Sequence, residues 1–270
     1  MNQKIRQGRR NLLEFSPNDD KTVRKIAVVS ELVRPNRLMV EAWALSHAKE
    51  RGIHVPAVVE YYRDSENHEV MTLERIVGRV LSREKTPENI DCMYSVGEQM
   101  SNLEGVSSGF GWIDPISGMG TSESWEAFLH GHLSGSESRL LECGDLPEEI
   151  SRAVHGMIDR FDLSLPQPYL VHRDIKPSNI MRDEEGNAWI LDWENTMLGD
   201  PIYDISMFGM KYGHGAQWEA LRAGYGLVLP EERYGLYEII GLIGMIDFYK
   251  KHGISYGGRM KQLIRMIRAN

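Results

Sequence analysis

Asp174, Asn179 and Asp192 stand in one short stretch of the sequence, and their spacing suits work on a phosphate. The apolar run Tyr169-Leu170-Val171 leads into His172-Arg173-Asp174, and Asn179 follows five positions after Asp174. Ile180-Met181 then runs into Asp183-Glu184-Glu185-Gly186-Asn187. That cluster is turn chemistry, with Gly186 free to take positive φ. The chain returns as Ala188-Trp189-Ile190-Leu191 and delivers Asp192. The expected arrangement is a loop, a tight hairpin and a second strand end. The hairpin brings Asp192 back beside Asn179, with Asp174 on the loop just before. The competing reading is a surface hairpin with solvated charges.

Phosphoryl transfer needs such a set. One carboxylate orients a nucleophilic hydroxyl, while a carboxylate and an amide oxygen hold magnesium on the nucleotide phosphates. Magnesium takes hard oxygen ligands, so Asp and Asn suit it where His and Cys do not. H-R-D-x-x-x-x-N followed by a strand ending in Asp resembles the catalytic loop and metal-binding Asp of protein kinases and their relatives. The continuation separates those relatives. Trp193-Glu194 follow Asp192, and Gly199-Asp200-Pro201 with Asp204 arrive within twelve residues, leaving no room for an activation segment. The run LDWENTMLGDPIYDIS is similar to the aminoglycoside phosphotransferase and choline kinase family, whose members phosphorylate small molecules.

The resemblance implies an α+β, bilobal, protein-kinase-like fold. A small β-rich lobe over residues 1–80 would bind nucleotide, with a hinge near 75–80. A larger, mainly helical lobe over 81–270 would hold the catalytic loop and the acceptor. It implies ATP and Mg2+ as cofactors. Asp174 is then the catalytic carboxylate, Lys176 steadies the transferred phosphate, and Asn179 and Asp192 hold the metal. His172 supports the loop backbone by its ring. Asp200 and Asp204 read as anchors of the loop, since they start a helix and accept backbone N–H bonds.

The elements that must position these groups are legible upstream. Asn11–Phe15 reads as a strand, residues 16–20 as a turn, and Thr22–Val29 as a β-branched strand carrying Lys25. A helix from about Arg37 to Arg51 has Leu38, Ala42, Leu45 and Ala48 at helical spacing, stopped by Gly52. By resemblance Lys25 contacts the nucleotide phosphates and Glu41, in the helix, holds Lys25. The plainer reading is a surface Lys and an exposed Glu. Strand alternation sends Arg24 to the opposite face. Ala57–Tyr62 and Val70–Glu74 read as a strand pair. By resemblance Leu73 lines the adenine pocket, the Glu74 carbonyl accepts from adenine and the Ile76 amide donates to it. Too few residues precede Gly8-Arg9-Arg10-Asn11 for a full first strand, so a lobe trimmed at its start is expected, with either Arg9, Arg10 or Asn11 serving in a short loop or nucleotide binding depending more on metal and hinge.

Composition bounds the rest. The chain has 270 residues, which exceeds one typical core. Its net charge of −8 argues against a nucleic-acid surface. The first third is net basic and the remainder strongly acidic. A basic lobe for phosphates and an acidic lobe for a cationic acceptor would produce that split, as would chance bias among solvated faces. Two cysteines give no disulfide framework, so a reducing cytoplasm is expected. The start of the chain lacks the apolar core of a secretory signal, and no apolar run is long enough for a bilayer. Scattered aromatic residues and the acidic Glu219, Glu231, Glu232, Glu238 and Asp247 after Ile205 suit an amino sugar or a quaternary amine, while each taken singly reads first as helix core or solvated face. The expected partner is therefore a small cationic alcohol, aminoglycoside-like or another amino- or sugar-containing compound, in an antibiotic-modifying or metabolite kinase. A protein kinase, supported by the HRDIKPSN spelling, and a catalytically silent nucleotide-binding module are the other classes.

Overall fold

The structure is a computed structural model, and it describes residues 3–7, 11–16, 19–27, 35–226 and 231–269. The first lobe is a five-stranded antiparallel sheet in the order β1-β2-β3-β5-β4. Its strands are β1 (Gln3–Gln7), β2 (Asn11–Ser16), β3 (Asp19–Ala27), β4 (Val58–Arg63) and β5 (Glu69–Glu74), with helix α1 (Arg37–Glu50) between β3 and β4. The lobe is not trimmed. β1 pairs with β2 from Gln3↔Phe15 to Gln7↔Asn11. The sequence QKIRQ holds one apolar residue, so an edge strand of this kind leaves no alternating pattern to detect. Arg9 and Arg10 lie outside the described residues, as do Val28 and Val29 at the expected end of β3.

Lys25 sits in the middle of β3, paired with Leu13 on one side and Met71 on the other. Helix α1 starts at Asn36, whose φ is 59° and whose side chain makes no cap. Glu69 of β5 supplies that cap instead, accepting from the Met39 amide at 3.1 Å. The cap fixes the helix against the sheet and so fixes Glu41 opposite Lys25. Leu38, Ala44, Leu45 and Ala48 fill the space between helix and sheet.

The second lobe contains α2 (Pro87–Ser101), α3 (Trp125–Glu142), α4 (Glu148–Arg160), α5 (Ile202–Tyr212), α6 (Ala216–Tyr225), α7 (Glu231–Lys251) and α8 (Gly257–Ala269). Two small sheets are set among them. β6 (Arg79–Val80), β10 (Ile180–Arg182) and β11 (Ala188–Ile190) form one, in the order β11-β10-β6. β7 (Phe110–Ile113), β8 (Gly120–Ser122), β9 (Tyr169–Val171) and β12 (Met197–Gly199) form the other, in the order β8-β7-β12-β9. Chain leaving the first lobe therefore pairs at once with the hairpin of the catalytic region. Among the described residues no helix is long and apolar enough to cross a membrane.

Candidate active site

β9 ends at Val171 and β10 begins at Ile180, so the intervening loop is held at both ends by sheet. β10 and β11 pair Ile180↔Ile190, and the Leu191 amide donates to the Asn179 carbonyl at 2.8 Å. This register brings Asn179 and Asp192 to one end of the hairpin. The His172 ring ties the loop to it. Its Nε2 lies 2.9 Å from the Leu191 carbonyl, and its Nδ1 accepts from the Asp174 amide at 3.2 Å. Nε2 is then the protonated nitrogen. Asp204 completes the frame from the first turn of α5, accepting from the His172 amide at 2.8 Å and the Arg173 amide at 2.6 Å. Asp200 accepts from the Ile202 amide at 2.9 Å, the Tyr237 hydroxyl at 2.7 Å and Arg233 at 3.0 Å. Burial pushes both carboxyls upward, and these donors oppose it.

Two non-glycine residues of the site adopt left-handed backbone, Arg173 at φ 66° and Asp192 at φ 67°. Such positions cost about 1–3 kcal/mol and persist where the surroundings over-determine them. Here the Asp204 carboxylate holds the first. Glu41 holds the second from the other lobe, its Oε1 accepting from the Trp193 amide at 3.2 Å. Arg173 turns its guanidinium over the Trp112 ring, 4.3 Å from the centroid, which gives a role to a residue whose partner was not legible in the sequence.

Lys25 Nζ is 2.7 Å from Glu41 and 2.7 Å from Asp192. Glu194 lies 3.6 Å from the same ammonium. Arg37, at the start of α1, reaches Glu194 at 2.9 Å, and the Asn11 amide donates to it as well. Burial alone would lower the Lys25 pKa, but Asp192, Glu41 and Glu194 outweigh it and hold the lysine charged. Glu41 is driven up by burial and brought back in part by Lys25. Burial also raises Asp192, yet Lys25 and Lys176 keep its carboxyl below the usual range. Three carboxylates thus converge on one ammonium, an excess of negative charge at the junction of the lobes. Glu41, Asp192 and Glu194 offer oxygens within 4.8 Å of one another.

Asp174 lies between two lysines. Lys176 Nζ donates to its Oδ2, and Lys211 Nζ, from the last turn of α5, sits 2.9 Å from its Oδ1. Burial raises this carboxyl, but the two ammonium groups win and take it down to about 2. Asn179 Nδ2 donates to the Asp174 carbonyl at 3.0 Å, which leaves Oδ1 as its hard-oxygen face. Asn179 and Asp192 therefore supply an all-oxygen donor set of the kind magnesium accepts.

At the hinge, the Glu74 amide donates to the Ala57 carbonyl at 2.8 Å, and the Ala57 amide donates to the Glu74 side chain at 3.0 Å. Leu73 is 7% exposed on β5. Ile76 follows in the open connection to β6. The structure thus brings Lys25, Glu41, Asp174, Lys176, Asn179 and Asp192 to one cleft, with Leu73, Glu74 and Ile76 along the segment that joins the lobes.

Three site groups escaped the sequence reading. Lys211 is 37 positions from Asp174 with no local motif. Arg37 and Glu194 meet only because α1 crosses the loop after Asp192. Three of the acidic residues after Ile205 that suited a cation have basic neighbours of their own. Glu238 pairs with His214 at 2.6 Å, Asp247 with Arg139 at 2.7 Å and Lys251 at 2.9 Å, and Glu219 with Arg222 at 4.0 Å. Trp218, Tyr225, Tyr234 and Tyr237 are core residues.

A five-stranded lobe with a Lys–Glu pair, a loop carboxylate and a paired Asn and Asp at a hairpin end define a kinase of the protein-kinase-like fold. A model of the "Phosphotransferase enzyme family" matches residues 20–235, and the chain belongs to that family. Its backbone is similar to a thermostable mutant of aminoglycoside phosphotransferase APH(4)-Ia in ternary complex with ADP and hygromycin B. The TM-score is 0.75 at 17% identity, covering 100% of this chain and 94% of that one. Choline kinase LicA from Streptococcus pneumoniae gives 0.71 at 15% identity, with 100% and 94% covered. The GDP and kanamycin complex of APH(2")-IIia gives 0.69 at 13% identity, with 100% and 92% covered.

Proposed function

We propose that this kinase transfers the γ-phosphoryl group of ATP to a hydroxyl of a small molecule. The observation that carries the reading is the Asp174 carboxylate, held ionised between Lys176 and Lys211 and bound through its backbone to Asn179. The nucleotide-binding lobe is taken as residues up to about 80. There Leu73 would line the adenine site, while the Glu74 carbonyl and the Ile76 amide would bond its edge. Lys25, fixed by Glu41, would meet the α and β phosphates. Asn179 and Asp192 would hold magnesium, which neutralises phosphate oxygens when bound with nucleotide.

Asp174 accepts a hydrogen bond from the acceptor hydroxyl and aims its lone pair at the γ-phosphorus. A carboxyl that titrates near 2 is a weak base. It takes the proton only as the oxygen bonds to phosphorus and becomes acidic, while the bond from the γ-phosphorus to the ADP oxygen breaks. Lys176 offers charge to the transferring group. Placement and charge neutralisation supply the rate, with no covalent enzyme intermediate.

The continuation past Asp192 supports a small acceptor over a peptide. Trp193 is fully buried, and Met197–Gly199 pairs directly with β9 and β7, so the chain carries no platform for a polypeptide there. The amino-sugar acceptor expected from the acidic second lobe parallels the hygromycin B and kanamycin named in the related structures. Coupled ADP release with Mg–ATP over aminoglycosides, choline, nucleoside antibiotics, sugars and sugar acids, with casein as the protein arm, tests the reading. ADP release that tracks one small acceptor is the expected result. Release with casein alone, or none with Asp174 intact, would overturn it.

A further inference from the structure

A small pocket shares Lys211 with the Asp174 site. Arg83, Lys85, Phe208, Lys211, Tyr212 and Trp218 line it, with Gly213, Gly215 and Gln217 closing the rest, and its volume is about 170 Å³. Three of these side chains are cations and none is a carboxylate. That is unexpected in a lobe so rich in acid.

The segment that carries two of these cations is held by built supports, while the Arg83 and Lys85 side chains themselves are exposed. Arg83 and Lys85 ride on the segment between β6 and α2. Two buried amides fix that segment from opposite sides. Gln217 of α6 donates to the Ser82 carbonyl at 3.1 Å and the Glu84 carbonyl at 3.2 Å. Asn89 of α2, 2% exposed, donates to the Glu84 carbonyl at 2.9 Å and to the Ser82 hydroxyl at 3.2 Å. The Arg83 guanidinium lies over the Tyr212 ring at 4.9 Å. Among the described residues neither Arg83 nor Lys85 has a carboxylate partner within ion-pair distance. Other charges near the pocket are already answered or turned away. His214 is held by Glu238 of α7 at 2.6 Å, Arg222 of α6 stacks over Trp218 at 5.6 Å, and Glu84 is exposed.

We propose that the acceptor of this kinase carries an anionic group, a carboxylate or a phosphate, which Arg83, Lys85 and Lys211 hold while its hydroxyl meets Asp174. The proposal rests on the kinase reading above and names its substrate class. Lys211 spans the two halves, since it bonds the Asp174 carboxylate and lines the pocket. A guanidinium and two ammonium groups without enough internal counter-charge match an anion by charge-assisted bonds. The cation set therefore favours a hydroxy acid or phosphorylated alcohol over an aminoglycoside.

The test uses the full chain with Mg–ATP and acceptor sets that share a carbon skeleton. One set is glycerol, glycerate, glycerol phosphate and serinol, and another is glucitol, gluconate, glucitol phosphate and glucamine, with kanamycin and choline as cationic references. ADP release should favour an anionic member over its neutral and amino partners by ~tenfold or more. The carboxylate and phosphate arms then say which anion. The double variant R83S/K85S should raise KM for that acceptor by ~100-fold while KM for ATP moves less than ~threefold. A preference for the amino members or the cationic references, or a larger change in KM for ATP than for acceptor, would overturn the inference. If no member turns over, calorimetric titration of glycerate and glycerol phosphate into the Mg–ADP enzyme decides. Binding lost in R83S/K85S supports the proposal, and no binding, or equal binding to both proteins, defeats it. Failure of the kinase reading itself looks different. Mg–ADP would then not stabilise the wild-type fold, a measurement that does not involve Arg83 or Lys85.

Discussion

At the scale of single residues, Asp174 carries the sharpest expectations. Asp174→Ala should lower turnover by on the order of 10²-fold or more while leaving nucleotide affinity nearly intact, as single-turnover rates and ADP titration would show. Its pH behaviour follows from the two lysines. The carboxyl is lowered from 3.8 to about 2 in the fold, so it is ionised at every pH above roughly 4. Its contribution to stability is present above the unfolded value and is lost as pH falls from about 4 toward 2, on the order of 2 kcal/mol in all. No acid limb from this group should appear in the pH–rate profile above pH 4. Lys211→Met removes one of the two ammonium groups, so the acid limb of Asp174 should move upward, and an unmoved profile would contradict the pairing. The sequence announced Asp174, Asn179 and Asp192 because they share one hairpin. It was silent on Lys211, whose only link to Asp174 is the angle at which α5 leaves β12.

Secondary-structure elements set the accuracy of that geometry. Asp204 holds two consecutive loop amides, and the left-handed Arg173 depends on it. Asp204→Ala should cost about 2–4 kcal/mol, since two donors lose their acceptor, and should lower turnover along with the melting temperature. The opposing crossing of α2 and α6 is equally tight. A methyl group at Gly224 would lie 2.0 Å from the Tyr94 carbonyl oxygen, and one at Gly97 would lie 2.3 Å from that of Leu221. Gly224→Ala should therefore destabilise by about 1–3 kcal/mol, read as a lower denaturant midpoint at unchanged slope. Helices such as α1 and the strands β2 to β5 were legible from spacing and turn residues. β1 was not, because QKIRQ holds one apolar residue and so shows no alternation. The Gly97–Gly224 approach was equally hidden, since each glycine reads locally as a weak point of its own helix.

For the molecule as a whole, the charge split between the lobes has a local meaning that composition could not supply. The basic first lobe meets the acidic second at Lys25 and Arg37, which face Asp192 and Glu194. Ligand that satisfies this excess of carboxylate should tighten the whole fold. Mg–ADP at a hundred times its dissociation constant should add about 2.7 kcal/mol, and EDTA should abolish most of the gain, as thermal unfolding would report. Glu194 has a further consequence. Its carboxylate belongs to the helical half by sequence and to the sheet half by contact, so severing the polypeptide near residue 80 would cut across the Arg37–Glu194 and Lys25–Asp192 pairs. Fragments cut there and co-expressed should recover activity only by reassociating.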